Sequence, residues 1–159
     1  MSESERDLDR TDRLILEALQ ANARLTMAEL AEKVSLSQSP CWRRVQLLER
    51  GGFILGYHAR LERRQLGLSV HGFVSLRMED HTPRTAASFE RQVVALPEVI
   101  ACQNLSGQYD YQLELVAADH EAFARLVREK IRSLPGVKDI YTSFTLKEVK
   151  TGGALPVGL

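Results

Sequence analysis

"SLSQSPCWRRVQLLERGG", residues 35–52, is the stretch on which the fold of the first third of the chain turns. Cys41, Val45 and Leu48 recur at helical spacing and define a side to bury. Ser39, Arg43, Gln46 and Arg50 fall on the opposite side, with Trp42 and Arg44 on its flanks. Pro40 loses nothing in the first turn, where the N–H groups have no intrahelical partner, and its fixed φ pre-sets the backbone. Ser37 or Ser39 is expected to cap this helix, and Gly51 to end it in a left-handed conformation. The first-turn amides suit a phosphate, and the outward side chains are types that contact base edges and phosphates. Cys41 reads as a small buried hydrophobe. Trp42 either packs against the first helix or the following wing, or faces DNA with the arginines.

Working outward, Leu14, Ile15, Ala18 and Leu19 form an apolar stripe on an earlier helix that Asp9 or Thr11 can cap. "TMAE", residues 26–29, has the form of a capping box, and Met27, Leu30, Ala31 and Val34 repeat behind it. "FILGYHARL", residues 53–61, is too short for a fourth helix and is expected to form a small strand or wing. Three short helices before a wing suggest a winged helix-turn-helix over residues 1–61.

After a short charged hinge, "ERRQLGL" at residues 62–68, the period changes to two: Val70, Gly72, Val74, Leu76 and Met78 alternate with polar or aromatic residues. Thr82 and Pro83 open a helix carrying Ala86, Phe89, Val93 and Leu96 on one face. "EVIACQNLSG" and "YDYQLELVA" read as strands joined near Ser106 and Gly107, with Cys102 expected in the core. Asp119 can cap a helix with Phe123, Leu126, Val127, Ile131 and Leu134 inward, and "VKDIYTSFTLKEV", residues 137–149, is a last strand. "LPEV" (96–99) and "LPGV" (134–137) each close a helix and open a strand. The order is β-α-β-β-α-β, a ferredoxin-like domain over residues 69–159, so the fold class is α+β. Its helices cover one sheet face, and self-association is an economical cover for the other.

The formal net charge is zero, yet residues 43–64 hold six arginines against Glu49 and Glu62, a local balance of +4. A basic stripe on a neutral chain is an electrostatic footprint for nucleic acid, with modest and salt-sensitive non-specific affinity. Cys41 and Cys102 give no disulfide framework, and the four histidines (His58, His71, His81, His120) show no zinc spacing. No nucleophile–base pair or phosphate-cradling glycine loop is evident, so an enzyme finds little support and neither metal nor cofactor is expected. The acidic start, "MSESERDLDR", is unlike a secretory signal, and no apolar run reaches membrane-spanning length, which makes a reducing cytoplasm the simplest compartment.

"LDRTDRLILEALQANAR" (8–24), "ELAEKVSLSQSPCWRRVQLLERGGFILGY" (29–57), "SGQYDY" (106–111) and "LPGVKDIYTSFTLKEVK" (134–150) together resemble the Lrp/AsnC family, the leucine-responsive and feast/famine regulators. The resemblance covers nearly the whole chain in order. It implies a regulator that binds double-stranded DNA, forms dimers and often octamers, and responds to an amino-acid effector. Such a protein would be cytoplasmic and nucleoid-associated. The DNA-reading helix would be Ser37 to Arg50, with Ser37, Gln38, Ser39, Trp42, Arg43, Arg44, Gln46 and Arg50 at the DNA. The effector region would be Ser106 to Tyr111, where Gly107 and Asp110 match the family pattern. A carboxylate at Asp110 can pair with an α-ammonium, and exposed amides can take the α-carboxylate. Tyr109 and Tyr111 either join that site or pack beneath a plain turn. Thr142 and Ser143 either line the pocket or form a solvated strand edge. "TSFTLKEVKTGGALPV" is similar to a branch responding to sulfur-containing or branched-chain amino acids, but "TGGA" stands where that branch often has threonines or a serine. The rival functions are an architectural protein that wraps DNA with little effector control, and a metabolic enzyme or its amino-acid-sensing subunit.

Overall fold

A computed structural model describes residues 7–157; the acidic stretch Met1–Arg6 lies outside the described residues. The chain forms two compact units. One comprises the described residues up to Arg60 together with those from Lys150 on, and the other is Leu61–Val149.

The first unit is helical. Helix α1 (Arg10–Ala21) is capped by Asp9, whose carboxylate accepts the Asp12 N–H at 2.8 Å. Helix α2 (Met27–Lys33) begins with the expected capping box: Thr26 accepts from the Glu29 N–H, and Glu29 accepts from the Thr26 N–H at 2.7 Å. Helix α3 (Gln38–Arg50) buries Cys41, Val45 and Leu48 against Ile15, Leu16, Leu30 and Ala31. Between α2 and α3 the chain turns through Ser35 at φ 55°, held by Leu36 N–H donating to Ala31 O at 2.9 Å. A left-handed conformation costs a residue with a Cβ about 1–2 kcal/mol. Ser35→Gly should therefore raise stability by about 0.5–1 kcal/mol after the extra entropy of glycine is deducted. Urea unfolding monitored by circular dichroism checks this as a higher midpoint at unchanged slope.

Three local expectations are corrected here. Gly51 is right-handed (φ −76°), and the left-handed residue is the next one, Gly52 at φ 73°. The segment expected to form a small strand or wing, residues 53–61, carries no strand, its backbone finding no partner strand among the described residues. Residues 150–157, expected with the C-terminal domain, belong to the helical unit. There Leu155 N–H donates to Gln20 Oε1 at 2.6 Å and Gln20 Nε2 donates to Leu155 O at 3.1 Å.

The second unit has the β-α-β-β-α-β order that the change of period predicts. Strand β1 (Val70–Met78) is followed by α4 (Pro83–Val94), β2 (Val99–Asn104), β3 (Tyr111–Ala117), α5 (His120–Leu126) and β4 (Val137–Phe144), in an antiparallel sheet ordered β2-β3-β1-β4. Helix α5 continues as a π-helical turn, Val127–Ile131, which period-counting cannot distinguish from α. Thr82 and Asp119 cap α4 and α5. Val74, Leu76, Leu113 and Leu115 pack under Phe89, Val93, Phe123 and Ile131. Strand β4 ends at Phe144, five residues short of the expected Val149. Beyond it, Thr145 bonds His71 Nδ1 (2.9 Å), and Glu148 pairs with Arg63 (2.8 Å). Cys102 is exposed and not in the core: the register shift between Val99 and Ala101 sets it opposite Leu113 on the helix side of the sheet, but on the edge strand β2, where it stays accessible.

Candidate DNA-reading face and effector loop

The first two helices hold α3 by its buried side and leave the opposite side open. Ser37, Gln38, Ser39, Trp42, Arg43 and Arg50 are exposed, and Trp42 is 54% accessible rather than packed on α1. Ser37 occupies the N-cap position, but its side chain makes no capping hydrogen bond, which leaves first-turn N–H groups for an external acceptor. Gln46 is half-buried and donates to Glu49 Oε2 at 3.0 Å. Arg43 and Arg50 have no ion pair or hydrogen bond among the described residues, so both charges are available to phosphate or base.

Arg44 is different. Its guanidinium reaches back to α1 and pairs with Asp9 at 2.6 Å and with the buried Asp12 at 2.8 Å. The Asp12 N–H, then Arg44, hold the Asp9 carboxyl below the usual carboxylate range, and Asp12 and Asp9 raise the guanidinium in turn. Sequence spacing put Arg44 on the flank of the reading face; the structure engages it as a brace between α3 and α1. No local pattern announces this pair, because its members lie more than thirty residues apart.

At the other end of the chain, residues 105–110 join β2 to β3. Gly107 has φ 141°, a conformation open to glycine, and Ser106 and Gln108 are exposed. Asp110 is built into the sheet: its N–H donates to Leu76 O (2.9 Å), and its Oδ2 accepts the Met78 N–H (2.7 Å) beside the bulge at Arg77/Met78. Its Oδ1 accepts no hydrogen bond among the described residues and stands 3.7 Å from His81 Nδ1. The ring of Tyr109 packs on Tyr141 with centroids 5.1 Å apart, which brings the loop beside β4. Tyr111 points the other way. Its ring lies on Phe89 and its hydroxyl donates to Glu90 at 2.9 Å, so burial and then Glu90 push the phenol up to about 12.

Thr142 and Ser143 are both exposed on β4 but do not share a face. Thr142 lies opposite Val74, on the helix side of the sheet, and Ser143 opposite Phe73, on the open side with Tyr141. The loop and β4 thus bring together Tyr109, Tyr141 and, along the same face, Ser143, while Tyr111 and Thr142 point away.

A helix-turn-helix whose Arg43 and Arg50 have no ion pair among the described residues, joined to a ferredoxin-like domain, has the make-up of a DNA-binding transcription regulator with a second, separate domain. Residues 8–54 match the family model for winged helix-turn-helix DNA-binding, and residues 71–155 match that for the Lrp/AsnC ligand binding domain. The chain belongs to the Lrp/AsnC family. The leucine-responsive regulatory protein of Salmonella typhimurium is 39% identical over 152 residues, covering 96% of this chain and 93% of its own. The Bkd operon transcriptional regulator of Pseudomonas aeruginosa is 38% identical over 151 residues, covering 95% and 99%. Among solved structures, a Neisseria meningitidis transcriptional regulator in complex with L-Met superposes with a TM-score of 0.91 at 38% identity, covering 96% of this chain and 98% of that one. The relatives are transcription regulators and not enzymes, and membership of this DNA-binding family implies the cytoplasm. No helix among the described residues is long and apolar enough to cross a membrane.

Proposed function

We propose that this chain is an amino-acid-responsive regulator that reads specific DNA sites through α3 and acts on the nucleoid as a dimer or higher assembly. The observation that carries this reading is the row of exposed Ser39, Trp42, Arg43 and Arg50 on α3, with no ion pair to either arginine among the described residues. Ser37 and Gln38 join through the open first turn, and Gln46 sits at the centre of the row. Arg44 supports the row from behind. Self-association is favoured by the sheet, whose helices lie on one side only and whose other side presents Phe73 and Tyr141. For the domains we propose residues 1–61 for DNA reading, 62–68 as the hinge, and the sheet domain after it for effector binding and association.

The test is Arg43→Ala on a site selected from random DNA. The expected loss is about 1–3 kcal/mol on the selected site if Arg43 meets a base, and less on random DNA. Fluorescence anisotropy at fixed salt measures both. Equal losses on the two DNAs would reduce Arg43 to a phosphate contact.

For the effector we propose the loop at Gly107 and Asp110, with Ser106, Tyr109 and Ser143 nearby, and an amino acid as the ligand, as in the meningococcal relative's L-Met complex. Asp110 Oδ1 is the oxygen left for an α-ammonium. Tyr111 and Thr142 belong to the fold around this site and not to its lining. Asp110→Asn keeps an acceptor for the Met78 N–H while removing the charge. It should leave the melting temperature nearly unchanged yet weaken amino-acid binding about tenfold or more, as loss of one charge-assisted hydrogen bond implies. Titration calorimetry checks this, and undiminished binding would contradict the ammonium pairing.

A further inference from the structure

Arg13, Leu16, Glu17 and Gln20 recur at positions i, i+3, i+4 and i+7 and so share one face of α1. Neither the helical core nor the DNA-reading face accounts for the polar members of this stripe. The C-terminal tail lies across it. Gln20 and the backbone of Leu155 form a closed two-hydrogen-bond ring (2.6 and 3.1 Å), a side-chain amide acting as a strand edge would. The Arg13 guanidinium donates to Val157 O, and the Val157 side chain packs on the helical core. Farther back, Arg60 donates to Thr151 Oγ1. The groove is only part filled. A cavity of about 310 Å³ remains beside Leu16, Leu19, Phe53 and Ile54, and Leu155 keeps its side chain 75% exposed.

We propose that this face of α1 is a peptide-docking groove whose occupant is the chain's own residues 154–157, forming a strap that releases without unfolding the helical unit. Recognition is mainly through backbone: one amide and two carbonyls are read by Gln20 and Arg13, and one small apolar side chain, Val157, seats in the core. The chain leaves the helical unit after residue 60 and returns to it at residue 150, so the strap is a second covalent link between the DNA-reading unit and the end of the ligand-binding one. A docked strap ties α1 to both links; a released one leaves it the hinge alone.

The test needs neither DNA nor effector, so its failure is distinct from failure of the functional reading. In the intact chain, hydrogen exchange at the Leu155 amide should be at least tenfold slower than in unstructured peptide, and faster than at the core amides of α1. Exchange at the unstructured rate would mean the tail does not dock; exchange as slow as the α1 core would mean it does not release. Val157→Asp should bring Leu155 to the unstructured rate while α1 stays protected. A synthetic peptide of residues 151–159 should then shift the NMR signals of Arg13, Leu16 and Gln20 in the full-length V157D variant saturably, and far less in the wild type, whose groove is occupied. Peptide binding that is absent from the variant, or equal in both proteins, would overturn the proposal.

Discussion

Arg44→Ala lowers the stability of the helical unit by about 2–4 kcal/mol, toward the lower end of what losing one partner of a buried ion pair costs, because the guanidinium is partly exposed. It removes the cation from Asp12, which is 1% accessible, and from Asp9, whose other oxygen caps α1. In a unit of this size that corresponds to a fall in melting temperature of roughly 10 °C or more. Arg43→Ala, one residue away, should melt within a degree or two of the wild type. The pair of melts separates a brace from a DNA contact before any DNA is added. The pH dependence has a fixed sign. The Asp9 carboxyl is lowered in the folded state, so its contribution is complete above its unfolded value and is lost as pH falls through the lowered one. The gap between wild type and Arg44→Ala should therefore narrow below about pH 4. A gap that stayed constant from pH 7 to pH 3 would place the effect elsewhere.

Gly136→Ala should be comparably damaging in the other unit. Gly136 sits at φ 75°, and a Cβ there would stand 2.4 Å from Thr85 Cγ2 on the first turn of α4 and 3.0 Å from Met78 Cε at the end of β1. Left-handed strain of about 1–2 kcal/mol adds to overpacking of about 1–3, for a loss of roughly 2–5 kcal/mol. Thr85→Ser removes the clashing methyl and keeps the hydroxyl that Thr82 donates to. In the Gly136→Ala background it should recover about 1 kcal/mol, the overpacking share and not the backbone strain. Chemical denaturation of the four-member cycle measures this, and no recovery would mean that the cost lies in the backbone alone.

These two positions also show where the sequence was legible and where it was not. The glycine in "LPGV" marked a helix-to-strand junction by local grammar, and the structure adds only the methyl that makes it obligatory. Periods of 3.6 and 2 separated the two halves because each element buries one face, and the cap residues Asp9, Thr26, Thr82 and Asp119 stood where orphan N–H groups demand them. The ion pairs of Arg44 are illegible in the sequence for the opposite reason. A helical wheel shows which side a residue leaves from, but not that a long guanidinium can fold back to carboxylates thirty residues earlier. The same holds for the tail: nothing near "ALPV" signals that Gln20 will take its backbone. Within the candidate effector loop, it is the family resemblance that points to Gly107 and Asp110. The division of Thr142 from Ser143 follows only from strand register, since neighbours on a strand face opposite ways, and that of Tyr109 from Tyr111 only from their ring contacts, with Tyr141 and with Phe89.

As proposed above, one chain couples DNA reading to an amino acid. The most direct measurement is the dissociation constant for a selected DNA site, at fixed salt, with and without each of the twenty amino acids at millimolar concentration. One amino acid, or a few related ones, should change that constant several-fold in the wild type and leave it unchanged in Asp110→Asn. A constant that no amino acid moves, with selected and random DNA bound alike, would contradict the account and describe an architectural DNA-wrapping protein instead.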